Sequence, residues 1–124
     1  MKIALLLAAV ALVAGCGWEA GSQAPRYDVT ITYWPSGRGG DARSATLTCD
    51  PDGGSHPKPA EACDALLQHE DALQPVAPGT ACTEIYGGPQ LATISGSGVH
   101  ALLSRENGCQ IARWEALAPV VELS

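Results

Sequence analysis

The chain has no phenylalanine, one methionine, and seven basic residues against thirteen acidic ones. A core must therefore come from Leu, Val, Ile, Ala and the three tryptophans. A formal charge of -6 lacks the basic footprint that nucleic acid requires, and argues against direct binding to an anionic bilayer. The three histidines are scattered, and no pair has metal spacing on a helix. No serine or cysteine stands in a nucleophile elbow, and no Cys-x-x-Cys occurs. No two carboxylates share an apolar setting that would split their pKa values. The sequence thus points to no enzyme, no metal and no cofactor.

Long apolar runs are also scarce. One exists, Ile3 to Val13, after the positive Lys2. It is too short to span a bilayer and suits a signal h-region. Residues 1–15 are read as a signal peptide. Val13-Ala14-Gly15-Cys16 puts small residues before a cysteine, as in a bacterial lipobox. Cys16 would then be lipidated and become the first residue; ordinary cleavage nearby is the other reading. Two acyl chains suffice for stable anchoring. The expected location is the extracellular face of the bacterial cell membrane, or the medium. Loss of Lys2 with the leader leaves six basic side chains against thirteen acidic ones.

Residues 16–26 are read as the lipidated cysteine and a flexible tether. Gly17 to Pro25 (GWEAGSQAP) has turn-forming composition, and such a stretch typically reaches about 15–18 Å. Residues 27–124 form one small domain, which cross-links would help to stabilise. Four cysteines remain once Cys16 is set aside: Cys49, Cys63, Cys82 and Cys109. They allow three connectivities, and export places them in an oxidising compartment.

Tyr27 to Trp34 is the clearest strand, alternating Val29, Ile31 and Tyr33 with Thr30, Thr32 and Trp34. Pro35 to Asp41 is a hairpin turn; its glycines lack the Lys-Ser/Thr ending of a phosphate cradle. Ser44 to Cys49 returns, with Ala45, Leu47 and Cys49 on one face. Asp50 to Pro59 is an irregular loop, because its glycine falls too early for a calcium site and no closing glutamate follows. His56 within it is expected to bond a loop carbonyl.

Pro59 to Asp71 predicts a helix, with Ala62, Cys63, Leu66, Leu67 and Leu73 in a stripe. Gln90 to Ser95 predicts a strand and Gly96-Ser97-Gly98 a tight reversal. Val99 to Arg105 reads as strand or helix, with His100 facing solvent. Glu106-Asn107-Gly108 reads as a turn. Ile111 to Leu117 has helical spacing, Pro119 is expected to end that helix, and Val120 to Leu123 to form a short strand.

One stretch fits neither period. Ala81-Cys82-Thr83-Glu84-Ile85-Tyr86-Gly87-Gly88-Pro89 begins beside a cysteine and ends in a Gly-Gly-Pro stop. It reads as an exposed, extended loop tied down at Cys82. Around it stand Leu47-Thr48-Cys49-Asp50-Pro51, Gly54-Ser55-His56-Pro57, Ala62-Cys63, Ala92-Thr93, Asn107-Gly108-Cys109 and Arg113-Trp114. In that order, from Tyr27 to Leu117, the chain resembles the Streptomyces-type subtilisin inhibitors. The resemblance implies an α+β fold: an antiparallel sheet of about four to five strands, two helices packed on it, and disulfides Cys49–Cys63 and Cys82–Cys109. It implies a scissile bond at Glu84–Ile85, with Ala81, Cys82, Thr83, Tyr86 and Gly87 also touching a protease. The implied partner is a serine endopeptidase.

Two departures from the family pattern matter. Where the family usually presents an apolar or basic residue, this chain has Glu84. An unpaired carboxylate in an apolar pocket costs several kcal/mol to bury, so the target is either subtilisin-like or, better suited, glutamate-preferring with a basic pocket. The short Gly96-Ser97-Gly98 reversal replaces a longer hairpin near the sheet surface used in family dimers, leaving monomer and homodimer both open. The competing reading is a lipid-anchored binding or structural module that keeps the fold without inhibition.

Overall fold

The computed structural model describes residues 24–124. The signal peptide expected over residues 1–15, the lipidation expected at Cys16 and most of the tether expected over 16–26 lie outside the described residues.

Four strands form one antiparallel sheet: β1 (Tyr27–Trp34), β2 (Arg43–Cys49), β3 (Leu91–Gly96) and β4 (Val99–Ser104). Their order across the sheet is β2-β1-β3-β4. The register pairs Ile31 with Ala45 on one side and with Ile94 on the other, and Ile94 with Ala101. Alternation therefore sends Tyr27, Val29, Ile31, Leu47, Cys49, Ala92, Ile94, Ala101 and Leu103 to one buried face. Helices α1 (Pro59–Gln68) and α2 (Gly108–Val121) complete the core with Leu66, Trp114, Leu117, Val120 and Val121. Tyr33 lies against Trp114, ring centroids 6.0 Å apart. The expected α+β architecture with two helices is what the chain adopts.

The other face of the sheet carries exposed Thr30 and Thr46 and half-buried Thr32, Thr93 and Ser95, with half-buried Trp34 and Leu91 and exposed Leu102 among them. Both sheet edges carry hydrogen bonds from outside the sheet, which blunts their tendency to pair with another chain. Along β2, Ser55 Oγ accepts from Thr46 N at 2.9 Å, Thr46 O accepts from His56 N at 2.9 Å, and Thr48 exchanges two backbone bonds with Gly53. Along β4, Arg113 Nη1 donates to Leu102 O at 3.3 Å. The β3–β4 reversal is a two-residue turn with Ser97 and Gly98 both at positive φ, 51° and 75°, the twist a tight hairpin prefers. Ser97 Oγ also accepts from Asp28 N at 2.8 Å, tying this turn to the start of β1.

Both disulfides take the pairing that the resemblance implies, Cys49–Cys63 and Cys82–Cys109, with Cα separations of 5.5 and 5.4 Å. Closing each loop stabilises the fold by about 3–4 kcal/mol in the chain-entropy account. Cys49 and Cys63 are fully buried, whereas the second bridge lies near the surface.

Four local expectations need correction. The first helix stops at Gln68, and Glu70–Leu73 is a 3-10 turn. This break sends Ala72 and Leu73 into the core while Arg113 takes their carbonyl oxygens, through Nε at 2.9 Å and Nη2 at 3.5 Å. Glu106-Asn107-Gly108 is not a free turn: Asn107 caps α2, its Oδ1 accepting from Gln110 N at 3.0 Å. Pro119 does not end α2, which runs to Val121, so residues 120–123 form no strand. Pro119 lies on the exposed side with Glu115, where water can serve the carbonyl that lost its donor, and buried Leu117, Val120 and Val121 hold the last turn in place.

The fourth correction concerns His56. It is 5% exposed, and its ring reaches not a loop carbonyl but Val120 O in α2, at 2.9 Å. Its Nδ1 accepts from Lys58 N at 3.0 Å. An acceptor at Nδ1 and a carbonyl at Nε2 require the neutral ring with hydrogen on Nε2. His56 thus joins the β2–α1 loop to the end of α2. Replacing it with alanine removes the side-chain partner of buried Val120 O and of part-buried Lys58 N. Urea denaturation of His56→Ala is expected to show a loss of about 1–3 kcal/mol.

Candidate functional site

The pairing of strand ends defines two poles. At one, Tyr27 opens β1 opposite Cys49, and the Ser97 turn lies beside Asp28. At the other, Trp34 closes β1 opposite Leu91, which faces Ser104 at the end of β4. The eight residues of β1 separate the poles by about 26 Å. Residues 81–89 lie at the second pole, next to the β1–β2 turn, where a side-chain carbon at Gly37 would sit 3.1 Å from Pro89 O.

The segment has no helix or strand of its own. Its shape comes from anchors on the stretch Arg105–Ile111. On the N-terminal side, Cys82 is bonded to Cys109, and Thr83 O accepts from Gly108 N at 2.9 Å. On the C-terminal side, Gly87 N donates to Arg105 O at 2.7 Å, and Gly87 O accepts from Arg105 Nε at 3.1 Å. Between these anchors, no backbone group of Glu84, Ile85 or Tyr86 bonds to another described residue. Ala81, Thr83, Glu84, Ile85 and Tyr86 are all exposed, while Cys82 and Gly87 are half-buried. Ile85 and Tyr86 are 61% and 67% exposed, the greatest exposures among the large apolar side chains described.

An adjacent apolar pair at the tip of a held loop is unlike scattered surface leucines. It offers area to a partner. The free N–H and C=O groups beside it can pair with an extended groove, as in strand addition. The pKa shifts fall in the scaffold: burial raises Tyr27 and Tyr33, and burial lowers Arg113. Among the described residues, one trio stands close enough for a metal, Cys49, Asp52 and Cys63. Its two sulfurs are already bonded to each other.

Comparison with protein families adds a finding to this geometry. A family model described as subtilisin inhibitor-like matches residues 30–101, more than half of the chain. The chain belongs to the subtilisin inhibitor-like family. Comparison with the curated proteins returned no match. The family match runs from β1 into β4 and includes the whole exposed loop, together with Cys49, Cys63 and Cys82. Arg105, Gly108, Cys109 and all of α2 lie beyond it.

The loop of this subtilisin inhibitor-like domain was legible in the sequence, but most of what holds it was not. Arg105, Gly108 and Ile111 carry no signal as anchors, because each meets the loop across many residues of chain. Two of the contacts depend on missing side chains. Gly108 brings its backbone against Thr83, leaving no room there for a side-chain carbon. Gly87 is boxed in: a carbon added to it would lie 2.9 Å from Ile111 Cδ1 and 3.1 Å from Arg105 Cβ.

Gly87→Ala should therefore displace Ile111 or Arg105 and loosen the C-terminal anchor. The expected loss of stability is about 1–3 kcal/mol, as for other overpacked sites. Amide exchange should accelerate at Gly87 more than in the sheet. Exchange at Gly87 equal to wild type would show that the box yields without moving the loop.

Proposed function

We propose that this protein is an exported, lipid-anchored inhibitor of a serine endopeptidase, acting through Glu84–Ile85 as a substrate-like bond. Membership among subtilisin inhibitor-like proteins supports a protease as the partner. The observation that carries the finer reading is the exposed Glu84-Ile85-Tyr86 segment held between two anchors. A loop already ordered loses little entropy on binding, so it binds more tightly than a flexible peptide of the same sequence. Ala81, Cys82 and Thr83 would lie before the bond, Glu84 in the specificity pocket, and Ile85, Tyr86 and Gly87 beyond it.

Glu84 selects the target. Its carboxylate would be buried without a partner in the apolar pocket of a subtilisin, and paired in a basic pocket. A glutamate-preferring serine endopeptidase is therefore the proposed partner. The two poles support anchoring: the chain enters at Tyr27, and the loop lies at the opposite end of the sheet. A lipid on Cys16 would tether the domain at the pole opposite Glu84.

Two measurements test this. The Cys16→Ala chain should inhibit a glutamate-specific serine endopeptidase stoichiometrically, with slow, incomplete cleavage confined to Glu84–Ile85. Rapid complete cleavage there would make the loop a substrate, and no interaction would leave a binding module. Against subtilisin, Glu84→Met should bind at least roughly a hundred-fold more tightly than wild type, the size expected for relief of a buried charge. No gain would remove Glu84 from the pocket.

A further inference from the structure

The inhibitor reading leaves open what decides between re-closure of the bond and its hydrolysis. We infer that Arg105 is the positioning residue that retains the leaving segment; this inference rests on that reading. During attack, the protease serine oxygen bonds to the Glu84 carbonyl carbon. The Glu84–Ile85 C–N bond breaks, and the enzyme's general acid gives its proton to the Ile85 nitrogen. Either that amine attacks the ester and returns the proton, re-forming the amide and the free serine, or water attacks in its place and leaves a Glu84 carboxylate. The outcome depends on how long the Ile85 amine stays beside the ester.

The two sides of the bond are held by different means. The acyl side is held covalently, by Cys82–Cys109, and by Thr83 O on Gly108 N. The amine side has no such covalent tie. Its first anchor after Ile85 is Gly87, and both polar backbone groups of Gly87 go to Arg105: N–H to the main-chain oxygen at 2.7 Å, C=O from Nε at 3.1 Å. The guanidinium bond is charge-assisted and half-buried, which makes it the stronger kind. Arg105 also shares its short stretch of chain with Cys109, so one rigid element holds both new ends. Loss of the Arg105 side chain would remove one of the two Gly87 bonds, leaving the amine side on its main-chain bond alone and the ties of the acyl side intact.

The test follows cleavage at Glu84–Ile85 by a glutamate-specific serine endopeptidase, using the whole chain with both disulfides formed. Arg105→Ala should raise kcat about ten-fold and move KM by no more than about two- to three-fold, the scale of one charge-assisted hydrogen bond lost after acylation. Arg105→Lys, which keeps a cationic donor of similar reach, should fall between wild type and Arg105→Ala. It also carries the test if Arg105→Ala does not fold. Arg26→Ala, which removes an ion pair with Glu70 outside the loop and its anchors, should match wild type. An unchanged kcat in the Arg105 variants, a rise in KM alone, or an equal gain in Arg26→Ala would overturn the inference while leaving the inhibitor reading intact. A wild-type chain that is neither bound nor cut at Glu84–Ile85 would overturn both.

Discussion

An exposed segment keeps one shape only when both of its ends are held by the same rigid body. Here that body is the stretch from the end of β4 to the first turn of α2. It bonds to Cys82 and Thr83 on one side of the segment and to Gly87 on the other. Its own position is set by the Asn107 cap and by Trp114 and Leu117 in the core. The three residues between the anchors need no packing of their own. They keep their place because their neighbours have nowhere else to go, which is how apolar Ile85 and Tyr86 can remain exposed without collapsing onto the domain.

The rest of the fold separates this pole from the one where the chain enters. The buried Cys49–Cys63 bridge ties the end of β2 to α1, opposite the start of β1, and serves the core. The half-exposed Cys82–Cys109 bridge serves the loop. His56 and Arg113 play matching parts for the two helices. Each threads a polar side chain between distant elements and satisfies backbone groups that irregular chain would otherwise leave bare. In a small domain without phenylalanine these polar ties add to what the buried apolar core supplies.

How much could be read beforehand depended on the range of the cause. The first strand was legible because alternation of apolar and threonine residues along its eight positions is a local pattern. The loop was legible because it breaks both periods and ends in Gly-Gly-Pro. The cap of α2 was present in the sequence as Asn107 followed three residues later by Gln110, a known start signal, although the turn-like Asn-Gly pair drew the reading away from it. Pro119 misled for a related reason. Its helix-breaking tendency is real but modest near a helix end, and burial of Val120 and Val121 outweighed it. Val99–Arg105 was ambiguous in isolation and became a strand by pairing with β3.

By itself, the sequence determined strands β1 to β3, the cores of the two helices, the cysteine set and the location of a loop that no regular structure would claim, since each of these follows from the chemistry of neighbouring residues. Tertiary structure alone decided which residues hold that loop. Arg105 on Gly87, Gly108 on Thr83 and His56 on Val120 join positions 18 to 64 residues apart. Such contacts exist only after the sheet and α2 have brought the partners within hydrogen-bond reach, and nothing in the local composition of either partner announces the other.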